Sequence, residues 1–525
     1  MALLIAVVYF VALIIVASLY AKKKTKSAED FANAGGGMGW IMVTFTFVLA
    51  PLGSGHTMSL WQKAAGGGFT DWANFTGIGA GAMWWAIGAG AVFLPIAMLW
   101  IGPIYKKMRA TTVPEAIERV YGKKLAWFHA GFQTMTWTGI GCSETVAIGA
   151  AIYTLCKASG IDLSIYAAII LGFVLVVCYV FFGGMLQMAW LNVINAVVMI
   201  AASYGAIAII AVNYLAQFGG WRGVQEVYEQ MGYSNILTQV STLTQMPVWL
   251  SVIIPVIVLH TTAGAVSQTM MQPFFAAKDT SSCRKGVFVG CSFNIMSSLP
   301  WIFLGMAAMT IPAIASTVSP NGLEAVPNIA AAGLPVPAIG LLMIALLAAT
   351  LSTGGGIVLA NANVMSHDIF YKCVKPNLSD HGRLVATKVC IVIAALLLLP
   401  GALLMAHEFV FNLFLWVFSF GMPVFIVFII GYNFKVSKSA AWITIIVSYI
   451  VDCIWTFLPM ESILHLKAGS IWGMNLYATM VVSLVLGIVL HLILPGTQGW
   501  KKTKAAQKLA AEQAEIDHSH AQTQA

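Results

Sequence analysis

Thr44-Phe-Thr-Phe-Val-Leu-Ala50-Pro51-Leu52-Gly53-Ser54-Gly55-His56-Thr-Met-Ser-Leu-Trp61 begins and ends as an apolar membrane helix and is interrupted in its middle. Pro51 has no N–H to give to the helix ladder, and Gly53 and Gly55 accept backbone angles that other residues avoid. Carbonyls released this way inside a bilayer need protein, water or an ion to satisfy them. The stretch therefore reads in one of two ways: a proline kink packed against neighbouring helices, or a helix broken at mid-depth to expose oxygen ligands. The rest of the chain decides between them.

The 525 residues are 59% hydrophobic and only 9% charged, with a mean hydropathy of +0.86. Soluble domains carry roughly 25% charged residues. Apolar runs of about 20 residues, each long enough to cross a hydrocarbon core, recur along the chain. This is an all-α polytopic membrane protein. The net charge of +8 does not point to nucleic acid, because the basic residues gather in loops on one side. Eight cysteines form no CxxC pair and lie mostly in or beside apolar runs, so they read as small core residues. The first apolar run is too long for a signal h-region and has no small-residue cleavage site after it.

The pattern predicts about 13 transmembrane helices, at roughly 2–20, 38–62, 78–104, 125–155, 162–182, 189–214, 247–272, 286–312, 335–358, 384–405, 409–432, 438–458 and 472–495. With the N-terminus outside and the C-terminus in the cytoplasm, 23 of the 27 Lys and Arg residues fall in inner loops, as the positive-inside rule requires. One missed span would scramble that bias. Val224–Met231 is expected to form a short outer surface helix. The tail after Gln498 is expected to be a basic membrane-surface helix that frays into disorder. The division predicted is 1–37 for the first helix and its loop, 38–432 for a ten-helix core with repeats at about 38–214 and 247–432, 433–497 for two peripheral helices, and 498–525 for the tail.

Several motifs converge. Ser27-Ala-Glu-Asp-Phe31 follows the first span, and Thr112-Val-Pro-Glu115 with Arg119-Val-Tyr-Gly122 follows the third. Gly183-Gly184 opens the sixth span, while Gln272 and Ala276-Ala-Lys-Asp279 close the seventh. Ala349-Thr-Leu-Ser-Thr353 lies in the ninth, and Gly421-Met-Pro423 in the eleventh. In this order they resemble the sodium/solute symporter family, which contains the bacterial proline and sodium–glucose transporters. The resemblance implies a leucine-transporter-type core of two inverted five-helix repeats, formed by the second to eleventh spans.

The resemblance also implies a sodium site between the second and ninth spans: carbonyls at Ala50, Gly53 and Ala349, and hydroxyls at Ser352 and Thr353. Elementary chemistry agrees, since sodium is a hard cation that takes five or six oxygens. Ala349, Ser352 and Thr353 stand at i, i+3 and i+4 and share a helix face. Without the family frame, Ser352 and Thr353 read equally as hydroxyls bonded to their own i−4 carbonyls. The chain departs from the family in three places. Asn192 stands where an aspartate is usual in the sixth span and Asn195 where a glutamine is usual, so one sodium per cycle is expected. Leu52 and His56 occupy places where an acidic residue is often found near the break. Pro273 replaces the arginine that usually follows Gln272.

The resemblance places the solute at mid-membrane between the second, fourth, seventh and eleventh spans. The candidates are His56, Trp61, Trp137, Glu144, His260 and Gln268. Glu144 lies deep in an apolar run, Gly139-Ile-Gly-Cys-Ser-Glu144, where a carboxylate costs several kcal/mol unless it has a partner or a task. It could bind a cationic solute group, carry a proton or hold a structural partner. Trp84, Trp85, Trp137 and Trp190 could box an ammonium or belong to interfacial belts. His56 and His260 could meet a carboxylate or be satisfied core histidines.

The expected function is sodium-coupled import of a small polar organic solute across the cell membrane, with preference for an amino acid, amine or betaine. The alternatives are a sodium-coupled monocarboxylate carrier or proton coupling through Glu144. The partners expected are the solute, sodium as coupling ion and the lipid bilayer, with no nucleic acid, obligate protein partner or cofactor. No nucleophile–base pair or metal-ligand spacing suggests an enzyme, and no charged ring suggests a channel.

Overall fold

A computed structural model of the chain describes residues 2–50, 53–65, 94–230, 254–318, 322, 324–405, 418–466 and 471–522. Within these, eight helices are long and apolar enough to cross a membrane. They correspond to the predicted first, fourth, sixth, eighth, ninth, tenth, twelfth and thirteenth spans. Trp40–Leu49, Ile165–Phe181 and Gly421–Asn433 are shorter apolar helices in the second, fifth and eleventh. Leu94–Met108 is the described part of the third. Leu4, Val7, Val11 and Ile15 of the first span and Val485, Ile488 and Leu492 of the thirteenth are exposed. Apolar side chains facing outward from a helical bundle suit a lipid surround.

The loop motifs turn out to be helix starts. Ser27 accepts from the Asp30 amide while Asp30 reaches back to the Ser27 amide, a capping box. Thr112 caps Val113–Tyr121, whose first turn holds Pro114, and Asp279 caps Thr280–Thr310 by accepting from Ser282 N at 2.6 Å. Gly184 has φ +57, and a Cβ there would stand 2.2 Å from the Phe31 carbonyl. The Gly-Gly pair thus lets the sixth span start hard against Ala28–Asn33.

Glycines also set the close packing around the interrupted second span, whose halves are Trp40–Leu49 and Ser54–Ala64. Added Cβ atoms at Gly286 and Gly290 of the eighth span would stand 2.8 Å from Val43 and 2.7 Å from Val48. At Gly305 one would stand 2.7 Å from the Trp61 carbonyl. The eighth span therefore braces both halves of the second.

Two features differ from the sequence expectation. The seventh span is itself broken, into Ile254–Ala265 and Gln268–Ala276. Its freed carbonyls are taken by side chains: Tyr105 OH donates to Ala265 O at 2.7 Å, and His129 Nε2 lies 3.1 Å from Val266 O. Ser267 caps the second half. The tail does not fray: Lys504–Gln522 is helical. It docks through an Arg109–Glu512 ion pair and a 3.0 Å bond from Thr280 N to Asp517. The short helix expected at Val224–Met231 forms over Gly220–Gln230.

Candidate ion and solute site

The first half of the second span stops at Leu49, with Ala50 at its end. A continuing helix would give the Leu49 carbonyl the amide of residue 53. Here the Thr353 hydroxyl of the ninth span, Val336–Asn363, bonds Leu49 O at 2.7 Å and also lies 3.3 Å from Ala349 O. One hydroxyl thus stands between carbonyls from two different spans. These three oxygens include Ala349 and Thr353 of the expected set. The broken helix meets Thr353 through Leu49, one residue before the expected Ala50. The Gly53 carbonyl is engaged within its own helix, accepting from Thr57 N at 2.9 Å and Thr57 Oγ1 at 3.1 Å.

Ser352 faces another way. Its hydroxyl donates to Asn192 Oδ1 at 2.8 Å, and Tyr179 OH donates to the same oxygen at 2.8 Å. Asn195 Nδ2 donates to Tyr179 at 2.9 Å, and Tyr9 OH of the first span donates to Asn195 Oδ1 at 2.8 Å. A buried polar chain therefore runs from the first span through the fifth and sixth to the ninth. Asn192 and Asn195, the departures in the sixth span, both belong to it.

Glu144 joins the break directly. It is 1% exposed, and a Cβ on Gly53 would stand 2.3–2.4 Å from all three of its carboxyl atoms. The Glu144 carboxyl group occupies the volume that a side chain at 53 would enter. A Cβ on Gly354 of the ninth span would lie 3.8 Å from Glu144 Cβ. The carboxyl group is thus wedged beside the start of the helix Ser54–Ala64, the end that bears partial positive charge. The expected ion ligands and the expected solute carboxylate share one place.

The other candidates separate into three groups. Trp61 is buried against Trp301, centroids 5.8 Å apart. With Met58, Val146, Lys157, Asp162 and Glu324 it lines a cavity of about 730 Å³, within the range of small-molecule sites. Trp137 instead borders a cavity of about 20 Å³ with His129, Gln133 and Phe418, room for one water. Gln268 Oε1 accepts from Val113 N at 2.8 Å, and the Gln268 backbone N–H donates to Gln133 Oε1 at 3.1 Å, which ties the seventh span to the loop helix Val113–Tyr121 and to the fourth span. The side chains of His56 and His260, and Trp84 and Trp85 altogether, lie outside the described residues. Trp190 packs edge-on to Tyr20, centroids 5.3 Å apart.

Leu49, Tyr179 and Tyr9 were not singled out by sequence reasoning. A carbonyl carries no side-chain signature, and the two tyrosines sit in apolar runs that read as ordinary membrane helices.

A bundle of apolar helices with two interrupted spans, and with oxygens from separate spans gathered at one interruption, defines an ion-coupled membrane transporter. The sequence signature of the sodium:solute symporter family matches residues 31–448. The chain belongs to that family: it is a sodium-coupled symporter of a small solute, with Na+ as coupling ion, and not an enzyme. It is 25% identical over 415 residues to a sodium/glucose cotransporter of Vibrio parahaemolyticus, covering 74% of this chain and 73% of that one. It is 23% identical over 402 residues to the sodium/sialic acid symporter NanT of Aliivibrio fischeri, covering 75% and 74%. The human sodium/myo-inositol cotransporter 2 is 22% identical over 475 residues, covering 83% and 67%. The fold matches the solved structure of a Na+-coupled sialic acid symporter in a substrate-bound outward-open state. The TM-score is 0.74 at 16% identity, covering 95% of this chain and 99% of that one. Mhp1, a nucleobase-cation-symport-1 family transporter in a closed conformation, matches with a TM-score of 0.57 at 14% identity, covering 92% and 98%.

Proposed function

We propose that the solute carried with sodium bears a cationic nitrogen, as an amino acid, amine or betaine does, and that it enters across the cell membrane from the side of the 730 Å³ cavity. The observation that carries this reading is the Glu144 carboxyl group set against Gly53. A site for a neutral polyol has no need of a buried formal charge, whereas a cationic head group recovers in the site the electrostatic energy that burial removes. Sodium would bind at Leu49, Ala349 and Thr353, and Ala50 and Ser352 stand next in the chain to two of these. Bound there, the ion links the second span to the ninth, so its arrival and departure bias which side of the bundle opens. Asn192, neutral and already accepting two hydroxyls, supports a single sodium per cycle.

Thermal stability of the purified protein against a solute panel tests the proposal, with sodium or potassium at equal ionic strength. A ligand of the folded state raises stability by mass action. Amino acids, amines or betaines should stabilise in sodium only, and Glu144→Gln should remove the effect. Stabilisation by glucose, inositol or sialic acid that survives Glu144→Gln would replace the cationic solute by the kind its relatives are named for. A solute effect governed by pH and indifferent to sodium would make Glu144 a proton carrier.

A further inference from the structure

The tail helix, Lys504–Gln522, is fastened at two places of unequal strength. Its base is packed and paired. Trp500 is buried and stacks on Tyr432 of the eleventh span, centroids 5.8 Å apart. Gly499 N donates to Phe434 O at 2.8 Å, and Lys435 and Val436 pair with Gln498 and Thr497 in a short antiparallel ladder. The far half is held by polar contacts: the Arg109–Glu512 ion pair, the bond from Thr280 N to Asp517 Oδ1 at 3.0 Å, and His520 Nδ1 lying 3.7 Å from Asp279 Oδ2. The Arg109 and Glu512 side chains are 43% and 36% exposed, and an exposed pair contributes little. A helix with a buried base and an exposed, electrostatic far half releases most easily at the far half, and more easily still in salt.

The far half lands on a particular joint. Met38, two residues before the helix Trp40–Leu49 of the broken second span, donates its amide to Ala276 O at 3.0 Å, at the end of the broken seventh span. The Lys278 amide donates back to Met38 O at 3.0 Å. Lys106, near the end of the third span, closes the joint from the side: its ammonium donates to Phe275 O at 3.3 Å and to Ala277 O. Asp279 then caps the eighth span. The ends of both interrupted spans, which come from opposite halves of the chain, are thus tied together at one patch. The tail reaches across that patch, from Arg109 just past the third span to Thr280 at the start of the eighth.

A symporter opens its two sides in turn. On the side that carries the tail, the two interrupted spans cannot part while the main-chain bonds between Met38, Ala276 and Lys278 stand. We infer that the tail helix is a latch on this joint. Docked, it holds the third and eighth spans together beside the joint and slows opening on that side. Released at Glu512 and Asp517, it swings on its Trp500 base and lets the joint part. The latch acts whichever solute is carried, because it touches the ends of the interrupted spans and not their middles.

Hydrogen exchange of the full chain in detergent, resolved to single amides, tests the inference, because exchange of a buried, bonded amide reports its local opening. The readout is the Met38 amide, which bonds Ala276 and not the tail. Glu512→Arg sets two cations against each other and should speed Met38 exchange about threefold, the scale of one exposed ion pair. Adding Arg109→Glu should restore the wild-type rate. Truncation after Thr503 should speed it at least about fivefold, and raising salt from about 0.05 M to about 0.5 M should speed it in wild type but not in the truncated chain. Amides of the tenth span, Asp380–Leu404, should keep one rate throughout. Should the truncated chain not fold, the charge pair alone decides. A Met38 rate unchanged by Glu512→Arg and by truncation would overturn the inference. So would a doubly reversed pair that exchanges as fast as Glu512→Arg. Faster exchange confined to Thr280, which loses its own bond to the tail, would make the helix a passive cover, and faster exchange of the tenth span alongside Met38 would mean general loosening; either result overturns the latch.

Discussion

In the proposed ion site Thr353 and Gly53 matter for different reasons. The Thr353 side chain reaches carbonyls of two spans at once. Thr353→Ala removes an oxygen ligand and leaves Leu49 O without its donor, so the sodium concentration for half-maximal stabilisation should rise at least about tenfold, or ~1.4 kcal/mol. Thr353→Ser, which keeps the hydroxyl, should stay close to wild type in the same titration. Gly53 is needed for its missing Cβ, whose place Glu144 fills. Gly53→Ala should lower stability by about 1–3 kcal/mol through overpacking and abolish uptake. Gly53→Ala with Glu144→Ala should recover the melting temperature and not the uptake, which separates the steric role of residue 53 from the chemical role of residue 144.

At the scale of elements, the loop helix Val113–Tyr121 gives a pH signature outside the membrane. Burial alone would raise the Glu115 carboxyl, but the Thr111 backbone amide, His367, the Thr111 hydroxyl and Arg119 outweigh it and hold the carboxyl down to about 2. A folded-state value below that of the unfolded chain contributes stability above the ordinary carboxylate range, and that stability is lost as pH falls towards 2. Glu115→Gln should therefore lower the melting temperature at neutral pH and flatten its acid limb. The elements also show what a sequence can carry. Helix existence was plain from apolar runs, and the interruption between Trp40–Leu49 and Ser54–Ala64 was signalled by Pro51 and Gly53, which left a kink and a broken helix both open. The break at Val266-Ser267 was not, because Thr261-Thr-Ala-Gly-Ala-Val-Ser267 contains no proline and its interruption is held by Tyr105 and His129 from other spans. The tail helix was expected, but its extent to Gln522 and its docking were not, because its anchors, Arg109 and Thr280, are more than 200 residues away in sequence. The candidate site was legible where family motifs marked it, at Ala349 and Thr353. Its junction with Glu144 depends on tertiary packing that no local pattern records.

For the whole molecule, the proposed sodium ion would join two halves of the chain: the broken second span and Glu144 from one half, and Thr353 with Ala349 from the other. The neutral Asn192, with its oxygen already taken by Ser352 and Tyr179, supports one sodium where two carboxylate-bearing sites could hold more. The most direct measurement is equilibrium binding of radiolabelled sodium to the purified protein, counted per chain, for wild type, Thr353→Ala and Asn192→Asp. The account predicts one saturable sodium in wild type, its loss in Thr353→Ala, and one or more retained in Asn192→Asp. Two sodium ions in wild type, or one that survives Thr353→Ala unchanged, would contradict it.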